Sequence, residues 1–205
     1  MARKTNTIPI RNKFYIITNG RETEKNYFEL LKSKKSIYDV SIEFQNADPL
    51  GLVNYAIDHI NGANQVWIVF DVDNTHKDNR LIPAINKAEK NGIKYAFSNV
   101  SFEVWLISHF EIIEKEMTET KLENVLSEYL SKEKAGLTYQ KNDKDSLKEY
   151  FIPNYKKAII NSKIVYQKRK LSHLQACGEK SKAPIWNWNS CTSVFMLVEA
   201  LKLQL

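Results

Sequence analysis

The chain has 205 residues, 43% hydrophobic and 26% charged, with six glycines and five prolines, which is ordinary usage for a folded globular protein. No apolar run reaches the length of a membrane span and no apolar signal core opens the chain, so a cytoplasmic protein without a membrane partner is expected; Cys177 and Cys191 show no metal-ligand spacing and give no basis for a disulfide framework or structural zinc. The net charge of +6 is regional: residues 141–182 carry eleven Lys/Arg against four Asp/Glu, and the rest, with nineteen against twenty, is close to neutral.

Residues 13–18 predict a strand, Asn19-Gly20 a turn, and Thr23 a cap for a helix to about residue 32 with Tyr27, Phe28, Leu30 and Leu31 on its apolar face. A second strand follows at 40–44, a helix opened by Pro49 runs to about 60, and 65–70 is a third strand. A helix over 80–91 stops at Asn91-Gly92, and 93–98 is a fourth strand. Strands separated by helix-length segments imply right-handed crossovers and a mainly parallel sheet flanked by helices, an α/β fold. From Ser101, a candidate N-cap, the pattern turns helical: 102–110, 114–131, 145–152, 153–174 and a final helix over about 190–203. The expected organisation is an α/β core over 1–110, with a helical, basic region over 111–205 packed on it as one structural unit.

The apolar run before Asp71-Val72-Asp73 reads as a buried strand that delivers two carboxylates to its carboxyl end, where open α/β sheets place their chemistry. Residues two apart on a strand point the same way, so Asp71 and Asp73 can converge, and a hard divalent cation is the natural occupant between them; an Asp/Asn turn favouring solvent is the plainer alternative. The first strand ends at Asn19-Gly20 with Glu22 and Glu24 following, on the same sheet edge if the strands are parallel. Such an edge could assemble a metal site for attack on a phosphodiester. Glu103 falls in a first helical turn, where an anion is favoured anyway, and His109, six residues on, projects to another face. The basic region interleaves with Tyr139, Tyr150, Phe151, Tyr155 and Tyr166, a pattern that suits a nucleic acid gripped by Lys141, Lys168, Arg169 and Lys170; a solvated helix face explains it about as well.

Three stretches, Phe14 to Phe28 with its Thr-Asn19-Gly20-Arg-Glu-Thr23-Glu24, the strand ending Asp71-Val-Asp73, and Ser98 to Phe110 with Phe102-Glu103-Val-Trp105 and His109, resemble the RloB family, as does the closing Asn189-Ser-Cys-Thr192 segment. The resemblance implies a Toprim-like sheet, a nuclease acting on DNA or RNA, tRNA included, with Mg²⁺ or Mn²⁺, and a partner ATPase of the ABC or AAA type encoded nearby. It also implies a role in prokaryotic defence against phage through abortive infection, and it leaves room for a homo-oligomer. It carries family roles onto Thr23, Glu24, Asp71, Asp73, Glu103 and His109. The chain departs from the family where a glutamate usually precedes the motif's glycine: Asn19 can ligate a hard cation through its amide oxygen but cannot accept a proton at neutral pH. Either Glu22 or Glu24 then supplies the base, or the protein is a catalytically impaired binding and effector subunit of an ATPase complex, docking through its helical half and the exposed aromatics around Trp186 and Trp188. A milder departure is Ser190, where a proline is usual.

Overall fold

A computed structural model describes residues 12–32, 37–72, 80–178 and 185–203. Apolar runs of strand length pair into one five-stranded sheet in the order β2-β1-β3-β4-β5. β1 (Asn12–Thr18), β2 (Tyr38–Phe44), β3 (Gln65–Asp71) and β4 (Lys94–Asn99) are parallel, and β5 (Cys191–Thr192) runs antiparallel to β4. The expected α/β architecture with a helical C-terminal half is what the chain adopts.

Helices cover both faces because strand side chains alternate sides. Phe14 and Ile16 of β1 and Trp67 and Val69 of β3 face one layer with α1 (Thr23–Lys32) and the C-terminal helices, where Trp105, Leu126, Phe151 and Leu197 are buried. Ile17, Ile68, Phe70 and Phe97 face the other, built from α2 (Pro49–His59) and α3 (Leu81–Lys90). Asp48 caps α2 by accepting from the Gly51 N–H at 2.8 Å, and its second oxygen takes Arg80 at 2.7 Å, linking α2 to the approach of α3.

Several local expectations are corrected. Thr23 is the first residue of α1, and its hydroxyl donates to the Lys141 carbonyl instead of capping the helix. Phe102, not Ser101, occupies the cap position of the short α4 (Glu103–Ile107), and the Ser101 hydroxyl makes no hydrogen bond. The helix expected from 114 begins only at Glu119, as α5 (Glu119–Glu133), because the Thr118 side chain accepts from the Lys121 N–H and fixes the start there. Residues 144–154 form a short α6 (Lys144–Ser146), a π-helical turn Leu147–Phe151 and a 3₁₀ turn Ile152–Asn154 before α7 (Tyr155–Cys177). The final helix, expected from 190, is shortened to α8 (Val194–Ala200), since Cys191 and Thr192 pair with Asn99 and Ser98 as β5.

Candidate active site

The β1–β3 register sets Thr18 opposite Val69, which brings Gly20 level with Asp71. The Thr18 hydroxyl donates to the Gly20 carbonyl at 2.9 Å and tightens the turn that starts α1. Beyond these two strand ends opens a cleft of about 240 Å³. Its walls come from the β1–α1 turn (Gly20, Arg21, Glu22), the start of α1 (Thr23, Glu24), Asp71, the start of α4 (Phe102, Glu103), and Lys141 from the loop after α5. Three segments read separately from the sequence thus meet at one sheet edge.

Glu24 is 7% exposed. Its carboxyl folds over Gly20, so that a Cβ on Gly20 would lie 1.8 Å from the carboxyl carbon; the glycine is needed for this close approach. Burial pushes the Glu24 carboxyl up from its ordinary 4.5 to about 7, with the Glu103 charge adding to the rise and the backbone N–H and Lys141 opposing it. Glu22 stays exposed beside Arg21 at 3.6 Å. Of the two glutamates offered as substitutes for the missing base, the buried one holds its proton near neutral pH.

Glu103 is 3% exposed and accepts from the Tyr139 hydroxyl at 2.9 Å, with the Lys141 ammonium 4.0 Å away. Its place in the first turn of α4 therefore serves the cleft as well as the helix end. Lys141 also pairs with Glu119 and, at 3.2 Å, with Glu123. Desolvation alone would favour the neutral amine, but the Glu119 contact and the Glu103 charge outweigh it and keep Lys141 protonated well above the usual lysine range. The placement of Tyr139 and Lys141 at the cleft escaped sequence reasoning, because nothing local ties a loop after α5 to the tip of β1.

Asp71 is half-buried on the cleft wall, while Asp73 lies outside the described residues. Asn19 is not part of the wall. Its N–H donates to the Val69 carbonyl at 3.2 Å, and its amide oxygen is buried without a hydrogen-bond partner.

A family model described as RloB-like protein matches residues 14–201. The chain belongs to the RloB family. Neither a curated protein nor a solved structure matches it. The RloB match runs from β1 to α8 and so takes in every cleft residue described above.

Two RloB-like segments serve the scaffold. His109 is 1% exposed; its Nδ1 faces the carbonyls of Trp105 and Leu106 at 3.1 and 3.0 Å, which places the proton there and leaves Nε2 to accept from the Tyr27 hydroxyl at 3.0 Å. Burial depresses this imidazole to about 4, so it is a neutral core group among Trp105, Tyr27 and Phe151. The closing segment staples β5 in place: the Ser193 Oγ accepts from the Phe97 N–H at 2.9 Å, Ser98 and Thr192 hydroxyls meet at 2.9 Å, and the Asn189 side chain pairs with both backbone groups of Met117. Ser190, the departure from the usual proline, donates to the Lys115 carbonyl at 3.1 Å. The aromatics expected to be exposed here are not: Trp188 is buried against Phe97 and Tyr166, and Trp186 is half-buried beside it.

The other basic candidates sit on α7. Lys168 pairs with Glu114 at 2.5 Å, the Arg169 guanidinium donates to the carbonyls of Asn189 at 2.6 Å and Glu114 at 3.3 Å, and Lys170 is exposed. Arg169 is thus an internal brace between α7 and the β5 segment.

The donor chemistry of the cleft, carboxylates of Glu24, Asp71 and Glu103, fits a hard divalent cation. Among the described residues no three of His, Cys, Asp or Glu close on one another at metal-holding distance: Glu24 is turned onto Gly20, and Glu103 is engaged by Tyr139 and Lys141.

Proposed function

We propose that this RloB-family protein is a Toprim-like nuclease that hydrolyses phosphodiester bonds in DNA or RNA, tRNA included, using Mg²⁺ or Mn²⁺, and that it acts beside an ABC- or AAA-type ATPase in prokaryotic defence against phage. The observation that carries the reading is the meeting of Glu24, Asp71, Glu103 and Lys141 in one cleft at the carboxyl ends of β1 and β3. Glu24, held near 7, is matched to take a proton from an attacking water and return it to the leaving oxygen at neutral pH. Lys141 and Arg21 present the cations that face the scissile phosphate, and Glu103, with Tyr139 behind it, holds the Lys141 ammonium at the cleft mouth. Asp71 and Asp73 would hold the divalent ion, which when bound polarises the phosphoryl oxygen and stabilises the leaving oxygen.

The test is cleavage. Purified protein, alone and with the ATPase encoded beside it, is incubated with plasmid, single-stranded DNA and total tRNA in Mg²⁺ or Mn²⁺, and the products are sized. Metal-dependent strand scission abolished by Glu24→Gln and by Asp71→Asn supports the nuclease. One observation favours the second reading, an effector subunit without chemistry: Lys141 already neutralises Glu103, Glu119 and Glu123, as a resident counterion does. Nucleic-acid binding without scission in any metal selects that alternative.

A further inference from the structure

The longest helix has apolar residues on two opposite faces. Tyr155, Ala158 and Val165 of α7 are buried in the cores, yet Ile160, Ile164 and Leu171 stand 60%, 43% and 59% exposed. They are spaced four and then seven residues apart, which aligns them in one stripe about three turns long on the outward side. This is the seam spacing of helix-on-helix packing.

The flanks of the stripe decide what can lie on it. Lys157 and Lys168 border one side and Lys156, Lys163 and Lys170 the other, and α7 contains no Asp or Glu. Lys168 and Lys163 are partly compensated by Glu114 and Glu199 from neighbouring elements; Lys156, Lys157 and Lys170 have no ion pair among the described residues. A second copy of α7 would set lysines against lysines, which disfavours self-pairing. A phosphate backbone would find the lysines but would lie across an aliphatic ridge that offers it neither a hydrogen-bond donor nor a stacking face.

We propose that the outward face of α7 is a docking site for an acidic amphipathic helix of a partner protein, whose aliphatic residues pack along Ile160, Ile164 and Leu171 while flanking carboxylates meet Lys156, Lys157 and Lys170. The proposal is independent of the cleft and of the nuclease reading. It explains why a helix already committed to two cores keeps three large aliphatic side chains in water at regular spacing.

The probe is a synthetic helical peptide of about 20 residues, about 30 Å long, with leucine at the seam positions and glutamate beside them; a second peptide carries lysine in place of glutamate. The full chain is expected to bind the acidic peptide saturably, one to one, and the basic peptide at least about tenfold more weakly. Ile160→Glu combined with Leu171→Glu, both at exposed positions, is expected to weaken the acidic peptide by about tenfold or more, with circular dichroism and melting unchanged. Lys157→Glu with Lys170→Glu is expected to reverse the preference between the peptides. Equal affinity for both peptides, absence of saturable binding, or indifference to the paired glutamates overturns the proposal. So does a dimer of the parent chain that Leu171→Glu dissociates, or binding of duplex DNA or anionic vesicles that Leu171→Glu abolishes, since these hand the same stripe to a second copy, a nucleic acid or a membrane surface.

Discussion

Replacing Glu24 by Gln separates the carboxyl's charge from its shape. Holding the group at about 7 in the folded protein, against 4.5 when solvated, makes its ionisation on folding costlier by about 3 kcal/mol. The sign follows from which state binds the proton more tightly: the folded one does. Glu24 therefore contributes no penalty below pH 4.5, an increasing one between 4.5 and 7, and a constant one above. Glutamine fills the same space over Gly20 without titrating. In divalent-free buffer, Glu24→Gln should match the parent at pH 4 and exceed it by about 3 kcal/mol at pH 8, or about 6–12 °C in melting temperature for a chain of this size. Denaturant and thermal melts of both proteins from pH 4 to 9 measure the difference. Cleavage by the same variant should fall by about 10² to 10⁴ where proton transfer limits the rate. A stability difference that does not change with pH would refute the reasoning, because it would mean that Glu24 ionises as freely in the folded protein as in water.

Gly20→Ala should expel the Glu24 carboxyl from its seat while leaving the fold intact, since the group displaced is the end of a flexible side chain; cleavage should drop, with melting temperature little changed at pH 4 and raised at pH 8, where the expelled carboxyl ionises in water. Lys141→Met should remove the resident cation, tightening Mn²⁺ binding by calorimetry while lowering cleavage, with a stability loss of about 1–2 kcal/mol because the lysine is half-exposed and its contacts are screened. His109, depressed to about 4 by burial, has the opposite linkage to Glu24: its contribution is complete above 6.5 and is lost as pH falls towards 4. His109→Gln should therefore shed about 3 kcal/mol of acid sensitivity, read as a flatter melting profile between pH 6.5 and 4. Arg169→Ala should destabilise by about 1–3 kcal/mol through two abandoned carbonyls, and Lys170→Ala by less than about 0.5, as unfolding titrations will resolve.

The parallel sheet was legible because its strands are apolar runs of the right length bounded by turn residues, and the convergence of Gly20, Glu24 and Asp71 follows once β1 and β3 are taken as parallel neighbours. β5 was not legible. Two residues carry no periodicity, and Cys191 and Thr192 form a strand only because Ser98 and Asn99 offer an edge. The choice between Glu22 and Glu24 was equally hidden, since it depends on which carboxyl can fold over Gly20, a matter of packing. Lys141 reads as one more cation in a basic run until the Thr23 hydroxyl on its carbonyl fixes the loop against α1 and turns the ammonium towards Glu103. Arg169 reads the same way, yet its partners are carbonyls from two distant loops.

The β4–β5 pairing joins residues 94 positions apart, Ser98 and Thr192. Until the later segment has been synthesised, β4 presents an open strand edge, the kind of template on which unfinished chains pair with one another. Closing so long a loop costs little extra free energy at equilibrium, but it delays completion of the sheet, because a contact of such separation forms only after much of the chain is already in place. The hydroxyl pair of Ser98 and Thr192 and the Ser193–Phe97 bonds thus act as a late clasp in folding. Released chains that stop short of Ser190 should be aggregation-prone through the open β4 edge, and the full chain, in which β5 covers that edge, should not.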